Sequence, residues 1–81
     1  MRLDKYLKVS RLIKRRTVAQ EAASAERVSV NGKVVKPAYA VKVGDLITIR
    51  FGTSELTVRV LNTAEHVKKE EAGLMYEVVS E

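Results

Sequence analysis

The first sixteen residues, MRLDKYLKVSRLIKRR, constrain this chain more than any other stretch. They hold seven basic residues (Arg2, Lys5, Lys8, Arg11, Lys14, Arg15 and Arg16) against one acid, Asp4. The segment therefore carries +6 while the whole chain carries +5, which leaves −1 for the other 65 residues. Positive charge is a local feature rather than a property of the whole surface. At about 100° per residue, Leu3, Tyr6 and Leu7 fall on one side of a helix, and Arg2, Lys5 and Lys8 on the other. One side suits a core and the other suits solvent or a polyanion. A solvated face that only maintains solubility is the plain alternative. The helical spacing, and the second helix start that follows, weigh against it.

The rest of the chain reads as a scaffold for this face. The first helix spans Met1 to about Val9. Ser10 offers an N-cap hydroxyl for a short turn over Arg11–Arg15. Thr17 and Gln20 fit a capping box that opens a second helix, Val18 to about Ala25. Arg15 and Arg16 stand just ahead of that N-terminus, where free amides and the positive end of the helix dipole suit a phosphate. Two helices and a short turn also suggest a DNA-reading helix-turn-helix. The second helix, VAQEAASAE, is small or acidic and lacks the long donors that base edges require.

From Arg27 the period changes to two. Asn31-Gly32 between valine-rich arms predicts a hairpin with a type I′ turn. It pairs Val30 with Lys33, Ser29 with Val34, Val28 with Val35 and Arg27 with Lys36. Val28, Val30 and Val35 then share the core face. Arg27 and Lys36 oppose each other on the other face, a like-charge pair that a phosphate would relieve. Leu46–Phe51 and Glu55–Val60 alternate as further strands, with Ile47, Ile49 and Phe51 in one set and Leu56, Val58 and Val60 turned inward. Tyr76–Val79 is the last strand. Between them, Asn62–Met75 reads as a loop or a short helical turn. The expected fold is α+β: two helices joined by a short basic turn, packed on a small, twisted, mostly antiparallel sheet.

Composition removes several functions. A chain of 81 residues makes one small domain. Cysteine is absent, and the single histidine, His66, has no obvious nucleophile or metal-ligand partner. The four glycines are isolated turn residues, not a phosphate loop. We therefore expect no enzyme activity, no metal and no cofactor. Aromatics make up 5% of residues, so base stacking is not the main mode of any nucleic-acid contact. Shape and phosphate recognition remain, and these suit structured RNA. No apolar run reaches the roughly eighteen residues of a membrane span and no signal segment follows Met1, so a soluble cytoplasmic protein without membrane contact is expected. From Glu65 onward five acids face two bases, an acidic end with a net charge of −3.

The runs MRLDKYL, SRLIKRRTVAQE, RVSVNGKVV and VKVGDLITI resemble the RNA-binding domain named after the fourth protein of the small ribosomal subunit. The resemblance covers about residues 1–60, with 61–81 an acidic extension that completes the sheet. Over its full length, including the RFG segment and the KKEEA–MY tail, the chain resembles the RqcP family of bacterial ribosome-associated quality control. It is more distantly similar to the short heat-shock protein that binds free large ribosomal subunits. The resemblance implies a factor that binds rRNA and tRNA on large subunits obstructed by peptidyl-tRNA. Such a factor works with an RqcH-type tailing factor in adding alanine to the stalled chain, and is a monomer away from the ribosome. An accessory RNA-binding module for another structured RNA or an RNA-modifying enzyme is the alternative. The candidate RNA-contact set is Arg2, Asp4, Lys5, Lys8, Ser10, Arg11, Lys14, Arg15, Arg16 and Thr17 from the helices and their joint, with Asn31, Lys33 and Lys36 from the hairpin. Asp4 could orient a neighbouring basic side chain or meet a partner. One departure from the family is Glu26, which stands where many members have Gly; a left-handed backbone there would cost Glu about 1 kcal/mol relative to Gly.

Overall fold

Leu3, Tyr6 and Leu7 enter the core together, as their helical spacing requires, and the sheet is built around them. The computed structural model describes residues 1–64 and 68–80; His66, with Glu65 and Glu81 of the acidic end, lies outside them. The helices are α1 (Leu3–Val9) and α2 (Arg16–Ser24). The strands are β1 (Val28–Val30), β2 (Lys33–Val34), β3 (Leu46–Phe51), β4 (Ser54–Val60) and β5 (Tyr76–Ser80). A 3-10 helix, Lys69–Leu74, precedes β5 and falls in the stretch expected to be a loop or a helical turn. All strand pairings are antiparallel, in the order β2-β1-β3-β4-β5. The α+β architecture is the expected one. Leu3, Tyr6, Leu7, Ala19 and Ala23 from the helices meet Val28, Val30, Ile47, Ile49, Val58 and Val60 from one face of the sheet.

The hairpin forms in its expected register, with Ser29 opposite Val34 and Val30 opposite Lys33. Asn31 and Gly32 have φ of 52° and 84°, the pair of positive values that a type I′ turn needs. Val28 and Val30 are buried, and Val35 packs half-buried against the same core. The expected pairing of Arg27 with Lys36 is not made, because β2 stops at Val34 and the chain leaves the sheet. Residues 37–41 run instead beside the N-terminus: Leu3 N–H donates to Tyr39 O (2.8 Å), Asp4 N–H to Pro37 O (3.2 Å) and Val41 N–H to Met1 O (2.8 Å). The backbone across from Arg27 is that of Arg50, whose N–H donates to Arg27 O at 2.9 Å.

Expectations about the end of α1 and the start of α2 are corrected. Ser10 caps the C-terminus of α1, not the start of a new turn; its hydroxyl is buried and donates back to Leu7 O at 3.3 Å. Arg11 follows with φ of 63°, so the chain turns sharply and residues 11–14 form no helix. Helix α2 begins at Arg16 with Arg15 as its cap residue and no side-chain cap bond, so Thr17 does not cap. Phe51 alternates in phase with Ile47 and Ile49 but is 49% exposed, because it lies at the end of β3 against the Gly52 turn.

Helix α2 ends in a full Schellman pattern: Glu26 N–H donates to Ala23 O (3.2 Å) and Arg27 N–H to Ala22 O (3.0 Å). Glu26 occupies the left-handed position with φ of 62°. Glu26→Gly is therefore expected to stabilise the domain by about 1 kcal/mol, raising Tm by about 4–8 °C in a thermal melt.

Tyr6 ties the first helix to the end of the chain. Its ring is buried, and its hydroxyl donates to Met75 O at 2.7 Å, across 69 residues of sequence. Burial pushes the phenol well above its ordinary value of 10.0, with a smaller push from Tyr76. The native state therefore holds this proton more tightly than the unfolded chain does. The resulting stability is complete below the unfolded value of about 10 and is lost as pH rises beyond it. Tyr6→Phe is expected to cost about 0.5–1.5 kcal/mol in denaturant melts at neutral pH, the loss of one hydrogen bond, because the Met75 carbonyl keeps the Leu61 N–H at 2.8 Å. The variant's stability should also fall less steeply than wild type above about pH 10.

Candidate functional site

The site is organised by Asp4, the one acid of the basic segment. Asp4 sits in the first turn of α1 and is fully buried, at 0% exposure. Its position follows from the helix: Leu3 and Leu7 enter the core, and Asp4 lies on the side that turns toward the start of α2. One carboxylate oxygen, Oδ1, accepts the Lys5 backbone N–H at 2.8 Å. Arg2 grips both oxygens as a fork, with Nε to Oδ1 at 3.2 Å and Nη2 to Oδ2 at 3.1 Å. Arg16 reaches the same carboxylate from α2, Nε to Oδ2 at 3.8 Å.

The two arginines are buried only in part, with side chains 48% and 52% exposed. A guanidinium has five N–H donors in a plane. Arg2 directs two of its nitrogens at Asp4, and its remaining donors stay available to water or an anion. Asp4 therefore does two things. It fixes the direction of Arg2 through two hydrogen bonds, and it draws Arg16 of α2 into an ion pair that joins α1 to α2. Arg15 and Arg16 stand at the start of α2, where the first amides have no side-chain cap. Those amides carry the positive end of the helix dipole, so the arrangement suits an anion.

The other expected residues fall into three groups. Lys8, Arg11, Lys14 and Arg15 are exposed along α1, the turn and the start of α2, and Lys5 is half-buried. Thr17 is exposed on the first turn of α2, while Lys33 and Lys36 are exposed at the hairpin. Ser10 is buried, and the exposed Asn31 uses its side chain within the protein. The Asn31 amide donates to Asp45 Oδ1 at 3.1 Å, and its oxygen accepts Leu46 N–H at 3.0 Å. Asp45 is itself buried and accepts Lys42 N–H through Oδ2 at 2.9 Å. Asn31 thus clasps the hairpin turn to the loop before β3.

The sequence carried a local signal for the Asn31 turn and none for the clasp, which joins residues 14 positions apart. Among the described residues, no group of three or more His, Cys, Asp or Glu is placed to hold a metal ion. No helix among them is long and apolar enough to cross a membrane.

With this geometry established, the chain can be compared with known proteins. The model of the S4 domain matches residues 1–47. The RQC P-site tRNA stabilizing factor of Streptococcus pneumoniae is 56% identical over 81 residues, spanning 100% of this chain and 92% of its own length. Heat shock protein 15 of Escherichia coli is 37% identical over 82 residues, spanning 100% of this chain and 62% of its own. The solved trimeric structure of Vibrio cholerae heat shock protein 15 superposes with a TM-score of 0.89 at 31% identity, over 99% of this chain and 82% of that one. The chain belongs to the S4-domain family and, within it, to the group of RQC P-site tRNA stabilizing factors, in keeping with the RqcP resemblance of its sequence.

Proposed function

We propose that this protein is a non-catalytic RNA-binding factor of ribosome-associated quality control. It holds tRNA on a large ribosomal subunit obstructed by peptidyl-tRNA and joins that tRNA to rRNA. Residues 1–60 form the RNA-binding part, and 61–81 the extension that completes the sheet. It supports alanine addition by an RqcH-type factor in the cytoplasm, is a monomer away from the ribosome, and leaves all bond-making to its partners.

The observation that carries this reading is the pair Arg2 and Arg16 held by buried Asp4. Two guanidinium groups gathered at Asp4, beside the open amides of α2, suit the charge of a sugar–phosphate backbone. Lys8, Arg11, Lys14 and Arg15 add attraction that steers an RNA toward the same helices. Lys33 and Lys36 extend the charge to the hairpin. The relatives' name, RQC P-site tRNA stabilizing factor, supports the ribosomal setting.

In a sucrose gradient of cell extract, the protein is expected to co-migrate with free large subunits that carry peptidyl-tRNA. Arg16→Ala should move it to the top of the gradient while the domain stays folded, with a loss of about 1 kcal/mol in a thermal melt for the removed ion-pair partner of Asp4. An Arg16→Ala variant that still sediments with obstructed subunits would remove Arg16 from the contact.

Asp4→Asn separates orientation from net charge. The substitution raises the formal charge from +5 to +6, so charge alone predicts tighter binding to structured RNA. Loss of the carboxylate that aligns Arg2 and Arg16 predicts the reverse, a loss of about tenfold, equivalent to one charge-assisted hydrogen bond. Filter binding at fixed salt decides between them.

A further inference from the structure

A second cationic site lies on the side of the sheet away from the helices. One step beyond the Val28–Ile49 pair, Arg50 N–H donates to Arg27 O at 2.9 Å. Arg27, the residue before β1, and Arg50 of β3 thus face each other across this one backbone hydrogen bond. Val28 and Ile49 point into the core, so by strand alternation Arg27 and Arg50 point to the open face. Both are exposed.

Like charges placed directly opposite each other disfavour a sheet. Among the described residues the ion pairs are Arg2–Asp4, Arg16–Asp4 and Arg59–Glu77, so neither guanidinium is neutralised. They line a hollow of about 360 Å³ at the end of α2, together with Glu26. The next row on the same face is a line of hydroxyls, Ser29 opposite Thr48 and Thr48 opposite Thr57, with the two threonine hydroxyls 3.0 Å apart.

We propose that Arg27 and Arg50 form a second binding site for an RNA phosphodiester, independent of the helical face. The site rests on the RNA-binding function proposed above. Paired guanidinium groups bind a phosphate with direction as well as charge, and the hydroxyl row suits the ribose and the adjoining phosphate oxygens. Two acids border the pair, Glu26 in the hollow and Glu55 opposite Arg50. They restrict the anion to the width of one strand of backbone, where a broad anionic surface would meet their charge. With cations on both sides of the sheet, the domain can hold two RNA segments at once.

The test is the salt dependence of binding to bulk deacylated transfer RNA, from about 50 to about 200 mM salt, where each phosphate contact contributes about 0.7–0.9 to the logarithmic slope. Full-length wild type is compared with Arg27→Gln/Arg50→Gln, Arg27→Lys/Arg50→Lys and Arg2→Gln/Arg16→Gln. The first double variant should flatten the slope by about 0.7–0.9, weaken binding at least about fivefold at the low-salt end and melt at or above the wild-type temperature. The lysine pair should keep most of the slope. A slope and affinity in Arg27→Gln/Arg50→Gln equal to wild type, with Arg2→Gln/Arg16→Gln impaired, would overturn the second site and leave the helical interface standing. Wild type that fails to bind the RNA at any salt would overturn both.

Discussion

The fold of the functional face depends on one buried carboxylate. Asp4 has no exposed surface, and a charge in that position is tolerated only if it is met by opposite charge and hydrogen bonds. Arg2 supplies both on one side, the Lys5 amide supplies a bond from below, and Arg16 supplies charge from the second helix. Arginine suits these places better than lysine. Its planar fork can grip the carboxylate with two nitrogens and still turn other donors outward. A lysine would deliver its charge as a point, with nothing to set the direction of the donors left over. The link between α1 and α2 and the gathering of the two cations are therefore one feature of a short basic segment.

The sheet serves that arrangement from behind. Residues 37–41 pair with the first residues of the chain, so the N-terminus that bears Arg2 is held along its backbone as well as through its side chain. Tyr6 carries the constraint to the far end of the sequence, because its hydroxyl meets Met75 O just before β5. A chain of this size has a modest core, and each of these ties joins segments distant in sequence. The face that meets solvent thus rests on contacts reaching from residue 1 to the final strand, although the S4-domain match ends at residue 47.

What could be read from sequence alone follows the range of the forces involved. Asn31-Gly32 announced its turn because both positions need positive φ, a strictly local demand. Ile47, Ile49, Val58 and Val60 announced their strands because burial on one face imposes a period of two. Phe51 keeps that period and is still exposed, since periodicity shows the side of a strand and not where the cover of the core ends. Ser10 and Thr17 misled because a hydroxyl near a helix boundary reads the same whether it caps a start, closes an end or faces water. The basic face was legible as a count of charges. Its organisation was not, since it depends on Arg16 returning to Asp4 after a turn whose sharpness comes from Arg11 at φ of 63°. In the same way Asn31 looked like a free hairpin tip, and only the approach of Asp45 shows where its amide goes.

The left-handed residues join these levels. Arg11 and Glu26 each close a helix in a backbone region that favours glycine, at a cost of about 1 kcal/mol apiece. Glycine would fit both places, so the strain is accepted where a side chain is retained. At Arg11 the retained side chain is a cation on the turn between the two helices of the basic face. At Glu26 it is an acid beside Arg27 and Arg50, in the hollow at the end of α2. Both strained positions thus sit at the border of a cationic surface, one adding charge and the other limiting it. Glycine at either position would relieve that strain and remove one charge from the surface.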